Sequence, residues 1–487
     1  MENTASGSPG RKRSQDMHRP GYHFLPEKNW MNDPNGLIQW KGQYHLFYQY
    51  NPSSPIHGTI HWGHAASTDL VHWQHLPLAL APTPGGPDAS GVWSGCAVDA
   101  AGVPTLIYTG LSPQGEQGVC LASGSDDLLH WDKQAINPVI PAPPAELRNQ
   151  AQGQFRDPFV WRADGRWQMV IGSKIAGQGG VILRYGSDNL VHWEYLGILM
   201  AGDEAQTKPF WTGAMWECPN FFELDGKSVL IFSVQTAQEE LLYPVYYVGD
   251  EDGRRFQPTQ SSILVYGNSF YAPQVMQTQD GRRLMWGWLK EGCSQDACME
   301  AGWSGVMSLP LELHLLADGS LRVEPVEEIK TLRGEHRHWE GLALTPAFEG
   351  LPGGRAGDCL EIEAVFEPGP AAEFGFRLFA SPDGQEQTRL ICDCAQGRLV
   401  LERDASSLSS TVEREVRQAP LSLDADGTIK LRIFLDRSVL EVFAAGHTCL
   451  ASRVYPTRPD SLGLELFARG GETKLKSLDV WRMGSIW

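Results

Sequence analysis

A seven-residue signature that returns three times at a near-constant interval constrains this chain more than any other feature. Ser67-Thr68-Asp69-Leu70-Val71-His72-Trp73 recurs as Ser125-Asp126-Asp127-Leu128-Leu129-His130-Trp131 and again as Ser187-Asp188-Asn189-Leu190-Val191-His192-Trp193, so the tryptophans stand 58 and 62 residues apart. A weaker fourth copy runs from Gly249 to Phe256. Between the copies lie short strand-like runs with turn signals, among them Gln43 to Tyr50, Thr105 to Tyr108, Trp167 to Ile171 and Val229 to Phe232. A unit of about 60 residues with several short strands is what one propeller blade requires, and roughly 300 residues at that period make five blades.

After about residue 315 the pattern changes. Leu309-Pro310-Leu311-Glu312-Leu313 closes the last blade, Asp318-Gly319 makes a turn, and a charged connector follows near 325–335. Beyond it, Leu360 to Phe366, Phe374 to Phe379, Ile429 to Phe434, Val439 to Phe443 and Leu462 to Phe467 alternate polar and apolar residues, the pattern of a β-sandwich. The expected fold is all-β: a disordered tail over 1–18, a five-bladed β-propeller catalytic domain over 19–325, and a C-terminal β-sandwich over 336–487.

Composition narrows the function. A formal net charge of −18 repels phosphate backbones and anionic lipid, which argues against nucleic-acid and membrane partners. Nine cysteines, an odd number without a regular framework, suit a reducing cytoplasm. The Cys293/Cys298 and Cys392/Cys394 spacings do not match zinc sites, so neither metal nor cofactor is expected. The first 18 residues hold Arg11-Lys12-Arg13 but no apolar signal-peptide core, and no apolar run reaches the roughly 18 residues of a spanning helix. Nothing in the sequence specifies an oligomeric state.

Three acidic motifs carry the chemistry: Trp30-Met31-Asn32-Asp33-Pro34-Asn35-Gly36, Phe155-Arg156-Asp157-Pro158 and Trp216-Glu217-Cys218-Pro219. Measured back from the repeat's aromatic residue, Asp33 lies 40 before Trp73, Ser94 37 before Trp131, Asp157 36 before Trp193, and Glu217 39 before Phe256. That phase places the four at nearly one position in successive blades, on inner strands that face the propeller axis. Carboxylates converging on one funnel suit cleavage of a glycosidic bond, which needs a nucleophile or base and a protonated acid. Pro34 restricts the backbone of Asp33 and suits a fixed nucleophile. Glu217 suits an acid that starts protonated, under apolar cover from Trp216, Cys218 and Phe221 and beside two like charges. Arg156 is placed either to hold Asp157 ionised or to bind a sugar hydroxyl.

The chain also resembles glycoside hydrolase family 32, the family of invertases, fructanases and sucrose-6-phosphate hydrolases. The resemblance rests on Arg19 to Phe24, Trp30 to Gly36, Tyr44 to Pro52, His61 to Ala65, Val92 to Gly95, the two further acidic motifs, Phe270 to Gln274, Gly302 to Gly305, Asp436 to Phe443 and Arg453 to Pro456, in that order. It implies a five-bladed propeller and β-sandwich acting on β-D-fructofuranosides with retention, without a cofactor. It implies Asp33 as nucleophile, Glu217 as acid/base and Asp157 as transition-state stabiliser. By the same resemblance, Asn32, Gln49 and Ser94 bind sugar hydroxyls, Trp30, Trp93 and Trp288 form apolar walls, and Tyr271 stands near Glu217.

Departures from the family pattern fall at His57, where many relatives carry Trp, at Ser269 in place of Asp, and at Leu311 in place of Arg. The first two bear on the leaving-group side, so sucrose, sucrose 6-phosphate, short fructans and levan all remain candidate substrates. The leading expectation is a β-fructofuranosidase acting on a small-molecule or oligosaccharide fructoside. A fructosyltransferase or levan- or inulin-trimming enzyme on the same site, a catalytically inactive sugar-binding protein, and an inverting five-bladed hydrolase are the alternatives.

Overall fold

A computed structural model describes residues 16–487 except 252, 254, 349 and 352–355. The first fifteen residues of the expected tail lie outside the described residues. Asp16 and His18 are held, Asp16 by the indole of Trp303 at 2.7 Å and His18 by the carbonyl of Pro456 at 2.8 Å.

Five sheets, each built on four antiparallel strands, occupy the first two thirds of the chain. Their first strands are Asn29–Trp40, Gly91–Asp99, Phe155–Ala163, Met215–Leu224 and Phe270–Gln277. Each packs against the first strand of the next sheet, and the fifth against the first, so the sheets close into a ring. The clasp is the two-residue strand Trp303–Ser304, which lies parallel to Asn29 and Trp30 on the first sheet. Gly305 follows at φ +84, and a Cβ there would meet the Met31 carbonyl at 1.8 Å, so only glycine lets the clasp come this close. Gln274 adds a second stitch: it accepts from the backbone of Leu37 and donates to the carbonyl of Gly95.

The repeat forms the turn between third and fourth strands. Leu70, Leu128 and Leu190 take left-handed φ values of 67, 59 and 65, which cost a branched side chain about 1–2 kcal/mol each. Three compensations recur. The leucine is buried, the preceding Asp69, Asp127 or Asn189 accepts from the backbone two residues on, and the tryptophan indole donates to the leucine carbonyl at 3.1, 3.0 and 2.7 Å. The weak fourth copy falls at the same turn, between Leu241–Glu251 and Phe256–Ile263, and its residues 252 and 254 lie outside the described residues.

A short 3-10 turn, Glu327–Leu332, leads to the sandwich, whose first strand is Arg333–Leu344. Sheets of six and five strands face each other across a core that includes Leu360, Ile362, Phe366, Phe374, Phe376 and Leu390. The other face of the six-stranded sheet packs on the propeller, where Phe434 and Phe443 join Phe270, Trp286 and Leu309 in one cluster. No helix among the described residues is long and apolar enough to cross a membrane.

A buried charge cluster locks the two parts together. The Asp436 carboxylate accepts from the backbone of Gly21, Tyr22 and His23 at 2.6, 2.8 and 2.9 Å. His23 sits between Asp436 (2.9 Å) and Glu441 (2.8 Å), with all three side chains inaccessible to solvent. Burial alone would lower the His23 pKa, but the two carboxylates outweigh it and push it up to about 9. The imidazolium is therefore the folded form near neutrality. Because the folded value lies above the ordinary 6.5, this stabilisation is complete below about pH 6.5 and is lost as pH rises through 9. Thermal melts should show stability falling between pH 7 and 9. His23→Ala, which leaves two buried carboxylates without a counter-charge, should cost about 3–5 kcal/mol in urea unfolding at pH 6.

Candidate active site

All five inner strands lose register near their N-terminal ends. The pairing slips between Met31 and Pro34, Trp93 and Gly95, Arg156 and Phe159, Glu217 and Asn220, and Tyr271 and Gln274. Such bulges leave residues outside the ladder and turn the strand. Pro158, Pro219 and Pro273 sit inside them, where a missing N–H costs no ladder hydrogen bond. Asp157, Cys218 and Ala272 take positive φ values of 64, 48 and 48. In a regular strand neighbouring side chains point to opposite faces. At the bulges, consecutive residues both reach the funnel: Asn32 with Asp33, and Arg156 with Asp157.

The bulges also correct the phase read from the repeat. Asn35 and Asn220 play the same part in their blades, each donating to the carbonyl two residues back and accepting from the backbone of the next blade. The residue equivalent to Asp33 is therefore Cys218, and Glu217 stands one position earlier, in the place of Asn32. The intervals of 36 to 40 residues fit Glu217 and Cys218 equally well, so they do not separate the two.

Ten of the eleven expected site residues line one cavity of about 370 Å³: Trp30, Asn32, Asp33, Gln49, Trp93, Arg156, Asp157, Glu217, Tyr271 and Trp288. Ser94 sits behind the lining and donates to Asp33 Oδ2 at 2.5 Å. Gln49 donates to the same oxygen at 3.1 Å, and the Cys218 thiol lies 3.6 Å from it. Asp33 Oδ1 accepts from Asn32 at 3.1 Å. Trp30 crosses Trp288 edge to face at 5.5 Å and His57 at 5.9 Å, and donates its indole N–H to Asn32.

Arg156 stands beside Asp157 as expected, but its direct hydrogen bonds go to Glu217. Its Nε and Nη2 donate to Glu217 Oε1 at 3.0 and 2.8 Å, while Asp157 Oδ2 is 3.9 Å away. Tyr271 holds the other Glu217 oxygen at 2.5 Å. Trp216 and Phe221 do not cover Glu217. Trp216 projects to the other side, stacks on Phe232 at 4.0 Å and donates to the Thr212 carbonyl, and Phe221 packs against Trp161 and Phe256. Asp157 instead accepts from the backbone N–H of Cys218 at 3.0 Å.

Sequence reasoning missed Gln117, Gln154, Gln235, Glu239 and Leu241, which complete the rim. Gln117, Gln154 and Gln235 accept from Arg156 and fix its guanidinium. A search for polar residues at the ends of second strands and the starts of third strands would have found Gln235 and Gln117. Among the described residues, a histidine and carboxylate group with ligating atoms within 4.8 Å of one another, His336, His338 and Asp479, lies on the sandwich and not in this cavity.

Burial raises the pKa of Asp33, and the Glu217 charge adds to it, against hydrogen bonds from Ser94, Asn32 and Cys218; the result is about 6. Burial likewise raises Asp157; Arg156 opposes, Glu217 and Asp33 reinforce, and it reaches about 7. Each aspartate therefore stabilises the fold while protonated, and that stability is lost as pH rises from about 4 through 6 or 7. Asp33→Asn should melt about 1–3 °C above the parent chain at pH 8 and lose that advantage at pH 4. A variant that melts lower at pH 8 would contradict the strain assigned to the buried charge.

Comparison with known proteins places this geometry. Residues 23–325 match the glycosyl hydrolases family 32 N-terminal domain, and residues 328–482 match the glycosyl hydrolases family 32 C terminal domain. The chain is similar to the sucrose-6-phosphate hydrolase of Zymomonas mobilis, 38% identical over 489 residues, covering 95% of this chain and 92% of that protein. It is also similar to the levanase of Bacillus subtilis, 37% identical over 508 residues, covering 96% of this chain and 71% of that one. Among solved structures, fructan 1-exohydrolase IIa from Cichorium intybus superposes with a TM-score of 0.86 at 27% identity, covering 96% of this chain and 98% of the other. With its domains matched along both halves and close relatives along nearly its whole length, the chain belongs to glycosyl hydrolase family 32.

Proposed function

We propose that this protein is a retaining β-fructofuranosidase that releases fructose from sucrose and short fructo-oligosaccharides, with residues 19–325 as the catalytic propeller and 336–487 as its supporting sandwich. The observation that carries the reading is the convergence of Asp33, Asp157 and Glu217, from three blades, on one aromatic-walled cavity. Asp33 Oδ2 already takes donors from Ser94 and Gln49, so Oδ1 is the freer oxygen for attack on the anomeric carbon. As the bond from Asp33 forms, the bond to the leaving oxygen breaks and Glu217 gives that oxygen its proton. Glu217 then takes a proton from water, the water oxygen attacks the anomeric carbon, and the Asp33 ester bond breaks to release fructose.

Burial raises Asp33 to about 6 and Asp157 to about 7. The reaction requires a proton on Glu217 and the charge on Asp33. Tyr271 and Arg156 fix the Glu217 carboxyl so that it presents the proton in one direction. Asp157, with one oxygen on the Cys218 N–H, keeps the other for sugar hydroxyls that bind more tightly in the transition state. The nine cysteines all carry free thiols, which suits a reducing compartment such as the cytoplasm.

The lining carries Asp33, Asp157, Glu217 and Glu239 against a single guanidinium or ammonium group, Arg156, which Glu217 already holds. Such a cavity repels a phosphorylated sugar, so the preferred substrate is uncharged. Sucrose should be cleaved at least about tenfold faster than sucrose 6-phosphate by kcat/KM, which is about 1.4 kcal/mol. Product analysis on sucrose, 1-kestose, inulin and levan should show free fructose; longer oligosaccharides would instead indicate transfructosylation.

Asp33→Ala should lower kcat at least about 10³-fold while the protein stays folded. In the parent enzyme, kcat/KM should fall on the acid side of about pH 6 as Asp33 takes up its proton. Glu217→Gln should lose most on sucrose and least on fructosides with good leaving groups. Equal losses on both would remove Glu217 from the acid role.

A further inference from the structure

The sandwich holds a group of ligating side chains that fructoside cleavage does not use. Arg333–Leu344 is an edge strand of the six-stranded sheet, paired on one side with Thr473–Met483. Residues two apart on a strand share a face, so His336 and His338 project together. Asp479, opposite His338 in the register, joins them from the neighbouring strand. His336 Nε2 and His338 Nδ1 lie 2.8 and 2.7 Å from one carboxylate oxygen, Asp479 Oδ1. One ligating atom from each of the three lies within 4.8 Å of the others.

Both rings are held in orientation. His336 stacks on Trp481 at 4.7 Å with an interplanar angle of 6°. The far nitrogen of His338, Nε2, lies 3.0 Å from Glu340 Oε1. When Glu340 accepts the Nε2 proton, the Nδ1 lone pair points at the meeting point of the three groups. That is the carboxylate–histidine–metal arrangement by which an outer carboxylate fixes the ligating tautomer. Partly exposed ion pairs add little to stability, so fold stability alone does not account for two oriented imidazoles aimed at one oxygen.

We propose that His336, His338 and Asp479 bind a divalent transition-metal ion of the zinc class, with water completing its shell. Two imidazole nitrogens and one carboxylate oxygen match the donors that zinc takes, at about 2.0–2.2 Å, and disfavour magnesium or calcium, which take oxygen. The ion ties an edge strand with mostly exposed side chains to its neighbour, directly after the connector from the propeller. None of these residues lines the fructoside cavity, so the site acts on stability and not on turnover.

The test uses the full-length chain without a polyhistidine tag, stripped of metal by a chelator and titrated with zinc chloride in a calorimeter. One saturable equivalent is expected for zinc and none for magnesium. His338→Ala should weaken zinc binding more than tenfold, and Glu340→Gln, which leaves all three ligands in place, about tenfold. Saturating zinc should raise the melting temperature of the parent chain by about 2 °C and leave that of His338→Ala unchanged. The two proteins should melt together in chelator, which shows that the variant is folded, and His336→Ala should repeat the result. Absence of a saturable equivalent, or binding that survives both His338→Ala and Asp479→Asn, would overturn the proposal.

Discussion

The bulge at the top of each inner strand is the constraint on which the rest of the site depends. A regular propeller strand sends its side chains towards the neighbouring blades and shows the axis only backbone. At the bulges the ladder is interrupted, and backbone at positive φ turns consecutive residues inward at Asp157, Cys218 and Ala272. The hydrogen bonds given up there are replaced by side chains. Asn35, Asn220 and Gln274 carry bonds from blade to blade where the backbone no longer can. The residues that line the cavity and those that link the blades thus sit side by side on the same bulges.

Two of the buried charge groups work in opposite senses. At the propeller–sandwich junction, His23 lies between Asp436 and Glu441, and the contact favours the ionised state of His23 and Asp436. In the funnel, three carboxylates face one guanidinium, and burial pushes both aspartates up. The first cluster holds the fold together. The second is a strain that the fold tolerates, as is common for perturbed carboxyls at functional sites.

Much of this was legible in the sequence, for identifiable reasons. The Leu-x-His-Trp turns repeat because a left-handed leucine needs the same polar cap and the same tryptophan every time, and that regularity revealed the blades. Pro34 was read as restricting the backbone of Asp33, while the bulges that hold Pro158, Pro219 and Pro273 were not read from the sequence. What stayed hidden depends on contacts between blades. Arg156 was read as holding its neighbour Asp157 ionised or binding a sugar hydroxyl, and its hydrogen bonds to Glu217, 61 residues on, left no mark in the sequence. Gln117, Gln154 and Gln235 look like ordinary strand-end residues until three blades bring them round one guanidinium. The pairing of His336 and His338 with Asp479 spans more than 140 residues and leaves no local mark.

The clasp formed by Trp303–Ser304 orders events in time. The strand bearing Asp33 leaves the ribosome among the first, but the segment that pairs along its free edge follows some 270 residues later. Until then the inner edge of the first sheet is an open template of the kind that invites intermolecular pairing. The ring cannot close before that segment exists, so the funnel is completed only after Asp33, Asp157 and Glu217 have all been synthesised. The same pairing makes the clasp a direct neighbour of the strand bearing Asp33, so opening the ring there exposes that strand first.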